Sequence, residues 1–262
     1  MKLAVISDIH GNLPALQAVL DDIASLQVDQ VVNLGDILSG PLWPAETADF
    51  LMARGFTTIA GNHERQLLKL WDAGAQAWDP AGSDGFAATK MGAGHVDWMR
   101  ALTGFRWLAP DVLLVHGTPG SDLVYWLESI APDGIVRGAS AGEVAQRLAS
   151  GPDVSAASLI LCGHTHVPRT VRVGATLVVN PGSVGLQAYA DAHPVPHRME
   201  IGSPEARYAI VERRAAGWAV QLRAVPYDWQ AASRTAQEHG RADWAYALAT
   251  GRMPPADATI AP

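Results

Sequence analysis

Eight side chains in this sequence are of types that bind divalent cations or move protons, and they fall in five short blocks. These are Asp8 and His10, then Asp36, then Asn62 and His63, then His116, then His164 and His166. Imidazole suits borderline divalent ions such as Mn, Fe, Ni, Co or Zn, while carboxylate and amide oxygens suit the harder members of that group. The single cysteine, Cys162, excludes a cysteine-rich zinc site. Asp36 stands alone in its block, and a lone carboxylate with two oxygens is what a bridge between two metals about 3.5 to 4 Å apart requires.

Each block follows a short apolar run that reads as a strand. Leu3 to Ile6 leads to Asp8 and His10, Val31 to Leu34 to Gly35-Asp36, and Phe56 to Ala60 to Gly61-Asn62-His63-Glu64. Residues 111 to 115 lead to His116, and Leu159 to Leu161 to Cys162-Gly163-His164-Thr165-His166. Residues two apart share a face of an extended segment, so Asp8 and His10 are expected to face one ion while Ile9 enters the core. Ligands collect at the carboxyl ends of strands in an α/β sheet, and five such ends can share one crevice.

The intervening segments supply helices. Asn12 is a good N-cap and Pro14 suits a first turn, with Leu13, Leu16, Leu20 and Ile23 along one stripe. Further helices are expected at 45 to 53, 65 to 71, 96 to 102, 141 to 148, 229 to 239 and 241 to 250. Residues 72 to 93 are rich in Gly and Ala and read as a loop with some helix, so 72–103 forms a partly helical excursion. A strand at 104 to 108, a hairpin turning at Gly174-Ala175 and a second over 208 to 222 complete the pattern.

The chain has 262 residues, 48% of them hydrophobic and 17% charged, enough for a substantial core. One cysteine rules out an internal disulfide, and no apolar run approaches the roughly 18 residues that span a bilayer. With no signal-peptide pattern at the N-terminus, the expected location is cytoplasmic, away from membranes. Net charge is −7, and the 19 Lys and Arg residues are scattered, so no nucleic-acid polymer is expected as a partner.

In their order and spacing the blocks resemble those of the calcineurin-like metallophosphoesterase superfamily. That family's Asp-x-His, Gly-Asp, Gly-Asn-His-Asp/Glu, His and Gly-His-x-His are matched by Asp8/His10, Gly35/Asp36, Gly61/Asn62/His63/Glu64, His116 and Gly163/His164/His166. The resemblance implies an α/β four-layer αββα sandwich, with two mixed β-sheets flanked by helices and a dinuclear metal site at strand C-terminal ends. It implies one metal held by Asp8, His10, Asp36 and His166, and a second held by Asp36, Asn62, His116 and His164. Manganese is the expected ion. Catalysis would fall to His63, Asn62 and Asp36, with attack by a metal-bridged hydroxide and His63 assisting the leaving group.

Asp-Ile-His-Gly-Asn-Leu, Asn180 to Gly185 and Val225-Pro226-Tyr227-Asp228 extend the likeness to a compact prokaryotic phosphodiesterase-like branch. Two departures stand out. Phosphoprotein phosphatases carry Asp and Arg three and four residues after the bridging Asp, where this chain has Ser39 and Gly40; the Asp that orients the histidine and the Arg that clamps a monoester are both missing. Residues 186 to 205 read as a loop insertion.

The resemblance therefore implies a single domain over 1–262, with helices at 228–251, hydrolysing a phosphodiester or small nucleotide-like phosphoester. A phosphomonoesterase, a DNA-processing nuclease and a non-catalytic scaffold are the alternatives. Oligomeric state is open, a homodimer included. His95, His193, His197 and His239 read as surface histidines, and Arg65 and Arg169 as solvated. Tyr125 and Trp126 are either core aromatics or a stacking surface, and Gly182-Ser183 is a tight turn beneath the metals.

Overall fold

The computed structural model describes residues 1–149 and 151–255. The chain opens with β1 (Lys2–Ile6), α1 (Leu13–Ala24), β2 (Gln30–Asn33), α2 (Pro44–Met52), β3 (Thr57–Thr58) and α3 (Asn62–Asp72). A 3₁₀ turn at Ala75–Ala77 leads to α4 (Ser83–Lys90) and α5 (Ala93–Arg100), so the excursion is more helical than its Gly- and Ala-rich composition suggests. Then come β4 (Phe105–Ala109), β5 (Val112–Val115), β6 (Glu128–Ile130), β7 (Val136–Gly138), α6 (Ala141–Ala149), β8 (Leu159–Leu161), β9 (Arg169–Val173) and β10 (Thr176–Asn180). The chain continues through β11 (Ala188–Asp191), β12 (His197–Glu200), β13 (Ala206–Arg214) and β14 (Gly217–Val225) to α7 (Trp229–Glu238) and α8 (Ala242–Thr250).

Two five-stranded mixed sheets form the middle, in the orders β14-β13-β1-β2-β3 and β4-β5-β8-β10-β9. In each, three parallel strands meet antiparallel partners; β1 pairs parallel with β2 and antiparallel with β13, and β8 lies parallel between β5 and β10. Strand alternation sorts the core into layers. Leu3 and Val5 join Val32, Leu114, Leu159, Leu161 and Val179 in a cluster drawn from both sheets. Ala4 and Ile6 turn the other way, onto Leu16, Val19, Leu51 and Leu67 of the helices. The far face of the second sheet, with Leu113, Val115, Ile160 and Val178, packs on Val144 of α6. Helix, sheet, sheet, helix is the expected four-layer order, and β1 is buried on both faces because layers cover both.

Local signals hold where they are strong. Asn12 caps α1 by accepting from the Ala15 amide at 3.3 Å. Segment 186–205 departs from its reading as a loop: β11 and β12 form an antiparallel hairpin that packs against α8. Trp126 is core, 1% exposed. His197 is buried, contrary to its surface reading, because its Nδ1 donates to the Val195 carbonyl at 2.7 Å and its Nε2 meets the Tyr125 hydroxyl at 3.1 Å. Arg65 is ion-paired with Asp122, and the Arg169 guanidinium donates inward to the carbonyls of Leu127 and Ala139. Among the described residues, no helix is long and apolar enough to cross a membrane.

Leu161 is fully buried between the two sheets. Leu161→Ala should cost about 2 to 5 kcal/mol through lost burial and the cavity left behind. Urea unfolding should show this as a lower midpoint with an unchanged slope.

Candidate metal centre

The strands end before the polar residues begin, and the backbone then turns left-handed. Asp8, His10, Asp36, His164 and His166 have φ of 54°, 52°, 52°, 69° and 61°. Among the described residues, Gln27 is the one other non-glycine with positive φ. Such a conformation costs roughly 1 to 2 kcal/mol per residue, and positions of this kind concentrate at functional sites. Asp8 and His10 therefore converge through a left-handed turn and not through the strand pleat that the sequence suggested. Ile9, between them, is fully buried as expected.

Hydrogen bonds hold these turns. The amides of Asp8, His10 and Gly11 donate to the carbonyls of Gly35, Asp36 and Ile37 at 3.0, 3.1 and 2.8 Å, which zips the first two site loops together. Glu64, fully buried, accepts from the amides of Asp36, Ile37 and Gly61, each at 2.8 Å. The Ser183 hydroxyl donates to the Asp8 carbonyl at 2.7 Å, which places the Gly182-Ser183 turn against the same loop.

Two glycines in these blocks are dictated by close approach. A Cβ at Gly61 would lie 2.2 Å from Asp36 Oδ1, and one at Gly163 would lie 2.0 Å from Ser7 Oγ and 2.8 Å from Asp8 Oδ2.

The ring nitrogens are sorted by carbonyls, which only accept. His10, His116 and His166 use Nδ1–H to donate to the carbonyls of Ser39, Leu34 and Leu186 at 2.8, 2.8 and 2.6 Å. Their Nε2 atoms are left facing the centre. There, His10 Nε2 lies 3.1 Å from His166 Nε2, which lies 3.5 Å from Asp8 Oδ1. His116 Nε2 lies 3.0 Å from Asp36 Oδ2 and 3.1 Å from Asn62 Oδ1. Asp8, His10 and His166 form one group of possible ligand atoms within 4.8 Å of one another, and Asp36, His116 and His164 a second. All seven residues expected as ligands are thus brought together, with Asp36 in the second group. Two imidazole lone pairs facing each other at 3.1 Å, beside carboxylates, are a donor set that fits cations.

The electrostatics agree with that fit. Burial lowers His10 and His164 to about 4 and holds His166 well below the ordinary histidine value, so all three are neutral and able to ligate. Burial pushes the Asp8 carboxyl up to about 7. Burial works against a charge on Asp36 too, but the facing His116 pulls that carboxyl well below the usual range. His116, despite its burial, is raised to about 10 by Asp36. A proton shared between His116 and Asp36 thus stands where a cation can replace it.

His63 stands at the wall of a cavity of about 990 Å³ that also takes in His10, Asp36, Asn62, His164 and His166. Its amide donates to Asp36 Oδ1 at 2.9 Å, and its Nδ1 meets Asp84 Oδ1 at 2.8 Å. Burial alone would lower its pKa, but Asp36 and Asp84 raise it to about 9. Asp84 was not found by reading the sequence: it sits 21 residues away, on α4, in a stretch without motif or periodicity. Trp244 of α8 was missed as well. A Cβ at Gly40 would lie 2.7 Å from the His10 carbonyl oxygen and 2.8 Å from the Trp244 ring. The hairpin at 186–205 also reaches the centre, since the Tyr189 hydroxyl lies 3.2 Å from the His164 carbonyl. Tyr125 lines the same cavity, with its ring 5.0 Å from that of His164.

Residues 1–197 match the calcineurin-like phosphoesterase superfamily domain. Over 66 residues the chain is 39% identical to an uncharacterized protein of Methanocaldococcus jannaschii, a match spanning 25% of this chain and only 27% of that relative's length. The fold is similar to that of a metallophosphoesterase from Sphaerobacter thermophilus, with a TM-score of 0.72 and 24% identity over 96% of this chain and 99% of the other. It is similar also to a hypothetical protein from Pyrococcus horikoshii, with a TM-score of 0.68 and 18% identity over 97% of this chain and 99% of the other. At these identities the structural likeness is one of fold.

Two measurements test the centre. Metal binding must displace protons from His116, raised to about 10, and from Asp8, raised to about 7, so affinity should climb with pH from about 6 to 9. Titration calorimetry in buffers of different ionisation enthalpy should show proton release; a pH-independent affinity with none released would contradict the assignment. Gly163→Ala should push the Asp8 carboxylate aside and weaken metal binding roughly 10- to 100-fold, read by the same titration.

Proposed function

Because the chain belongs to the calcineurin-like phosphoesterase superfamily, we propose that it hydrolyses a phosphodiester or small nucleotide-like phosphoester at a centre of two divalent ions. Asp8, His10 and His166 would hold one ion; Asn62, His116 and His164 would hold the other, and Asp36 would reach both. The observation that carries this reading is the sorting of ring nitrogens, with three Nδ1–H groups tied to carbonyls, the Nε2 atoms of His116 and His166 turned on the two carboxylates and that of His10 turned on His166. Mixed nitrogen and oxygen donors accept Mn, the ion we assign, as they accept Fe, Ni, Co or Zn. When bound, such ions offset phosphate charge and activate the attacking water.

The protein's own groups supply the remainder. Asp36 anchors the His63 amide and faces His116, so a single carboxylate fixes both sides of the site. Asn62 contributes a neutral oxygen, which adds a ligand without adding negative charge beside the phosphate. His63, raised to about 9, keeps a proton at neutral pH and delivers it to the leaving oxygen.

Preference for a diester has its support at Gly40. The place that an arginine clamp would need is closed by the His10 carbonyl and the Trp244 ring. The arginines lining the cavity are otherwise engaged: Arg137 with Glu143, Arg241 with Asp243, and Arg147 with the carbonyls of Trp126 and Glu128. A dianionic monoester therefore meets no dedicated guanidinium among the described residues. We also assign residues 1–262 to one working domain, a reading supported by the C-terminal helix that brings Trp244 to the cavity.

With Mn²⁺ added, turnover of bis(4-nitrophenyl) phosphate should exceed that of 4-nitrophenyl phosphate; a strong monoester preference would overturn the diester assignment. His63→Ala should keep two equivalents of metal by elemental analysis while turnover of a diester with a poor leaving group, such as methyl phenyl phosphate, falls about a hundredfold.

A further inference from the structure

We propose that Asp84 is the positioning residue for His63, holding the ring by Nδ1 so that Nε2 is presented to the leaving-group oxygen. The proposal rests on the reading of His63 as the proton donor. Its basis is geometric. Asp84 Oδ1 lies 2.8 Å from His63 Nδ1, the two side chains are 25% and 28% exposed, and His63 lines the cavity. An ionised carboxylate only accepts, so the hydrogen between them belongs to Nδ1 and the proton to be transferred belongs to Nε2.

The carboxylate is fixed in place from several directions. It lies in the first turn of α4, where free amides favour a negative side chain. The residue before it, Ser83, accepts from the Gly40 amide at 3.3 Å through its carbonyl and from Arg241 at 3.0 Å through its hydroxyl. The residue after it, Gly85, rests so closely on Asp79 that a Cβ there would lie 1.8 Å from that residue's carbonyl oxygen. The Gly40 bond ties α4 to the loop that follows Asp36. On that loop Ser39 is buried with its carbonyl committed to His10, and the carboxylate that reaches the His63 ring comes from the helix docked against the loop.

In the step itself, the water oxygen bonds to phosphorus and releases a proton to solvent. The phosphorus–oxygen bond to the leaving group breaks, and its electron pair stays on that oxygen. The Nε2 proton of His63 moves to the same oxygen, and the ring becomes neutral, keeping its Nδ1–H donated to Asp84.

Leaving-group dependence tests this, because a purely structural tie between α3 and α4 would not alter it. With the Mn²⁺-loaded enzyme, methyl 4-nitrophenyl phosphate and methyl phenyl phosphate differ only in how much the departing oxygen needs a proton. Asp84→Ala should change kcat within about threefold on the first and lower it about tenfold or more on the second, with bound metal unchanged. Asp84→Glu should recover part of the loss, and the double variant with His63→Ala should be no slower than His63→Ala alone. Leaving-group dependence in His63→Ala without any in Asp84→Ala would overturn the proposal alone. Equal losses on both esters in His63→Ala would remove the donor reading and the proposal with it. Loss of metal in both Asp84→Ala and Asp84→Asn would assign the residue to folding of the site and also overturn the proposal.

Discussion

Two carboxylates and three imidazoles stand almost out of water at one point of this molecule, Asp8 and Asp36 with His10, His116 and His166. Such a cluster is costly to assemble, since desolvation opposes charge and like charges oppose one another. Much of the surrounding structure can be understood as its support. The loops after β1 and β2 share three amide-to-carbonyl bonds, Glu64 gathers three amides beneath Asp36, and Ser183 ties a third loop to Asp8. Left-handed turns at five of the proposed ligands add strain that only a well-tied framework holds. The two sheets provide that framework, because strands buried on both faces cannot shift without opening the layer between them.

Support for the centre comes from far along the chain. His166 is oriented by Leu186, at the start of the segment that continues into the β11–β12 hairpin, and that hairpin in turn packs on α8. α8 brings Trp244 against Gly40, so the last helix walls the loop that follows Asp36. α4 brings a carboxylate to His63. The segments of weakest sequence pattern thus build the walls of the cavity, while those of strongest pattern build its floor. That division follows from their different tasks: floor residues must match fixed ligand geometry, whereas walls need only shape and a few polar contacts.

Most of the floor was legible in the residues. Apolar runs ending in polar blocks mark β1, β2, β5 and β8, and the amphipathic stripe with Asn12 and Pro14 marks α1. The glycines at 61 and 163 were visible as parts of motifs, but their reason was not. It lies in side chains brought near, Asp36 to Gly61 from 25 residues away and Ser7 with Asp8 to Gly163 from 156 and 155 residues away. The hairpin at 186–205 has the sequence pattern of a loop because its two strands are four residues each and are rich in polar and small side chains. His197 looked like a surface histidine because nothing local reveals that Tyr125 lies opposite its ring.

The sequence by itself determined the strands that lead to the polar blocks, the cap and stripe of α1 and the set of candidate donor residues, since these depend on side-chain type and short spacing. Tertiary structure alone decided which nitrogen of each histidine faces the centre, which carboxylate stands behind His63 and what fills the space beside Gly40. Those outcomes depend on carbonyls, carboxylates and rings that meet only when two sheets pack and distant helices close over their strand ends, and no local pattern in the chain encodes such meetings.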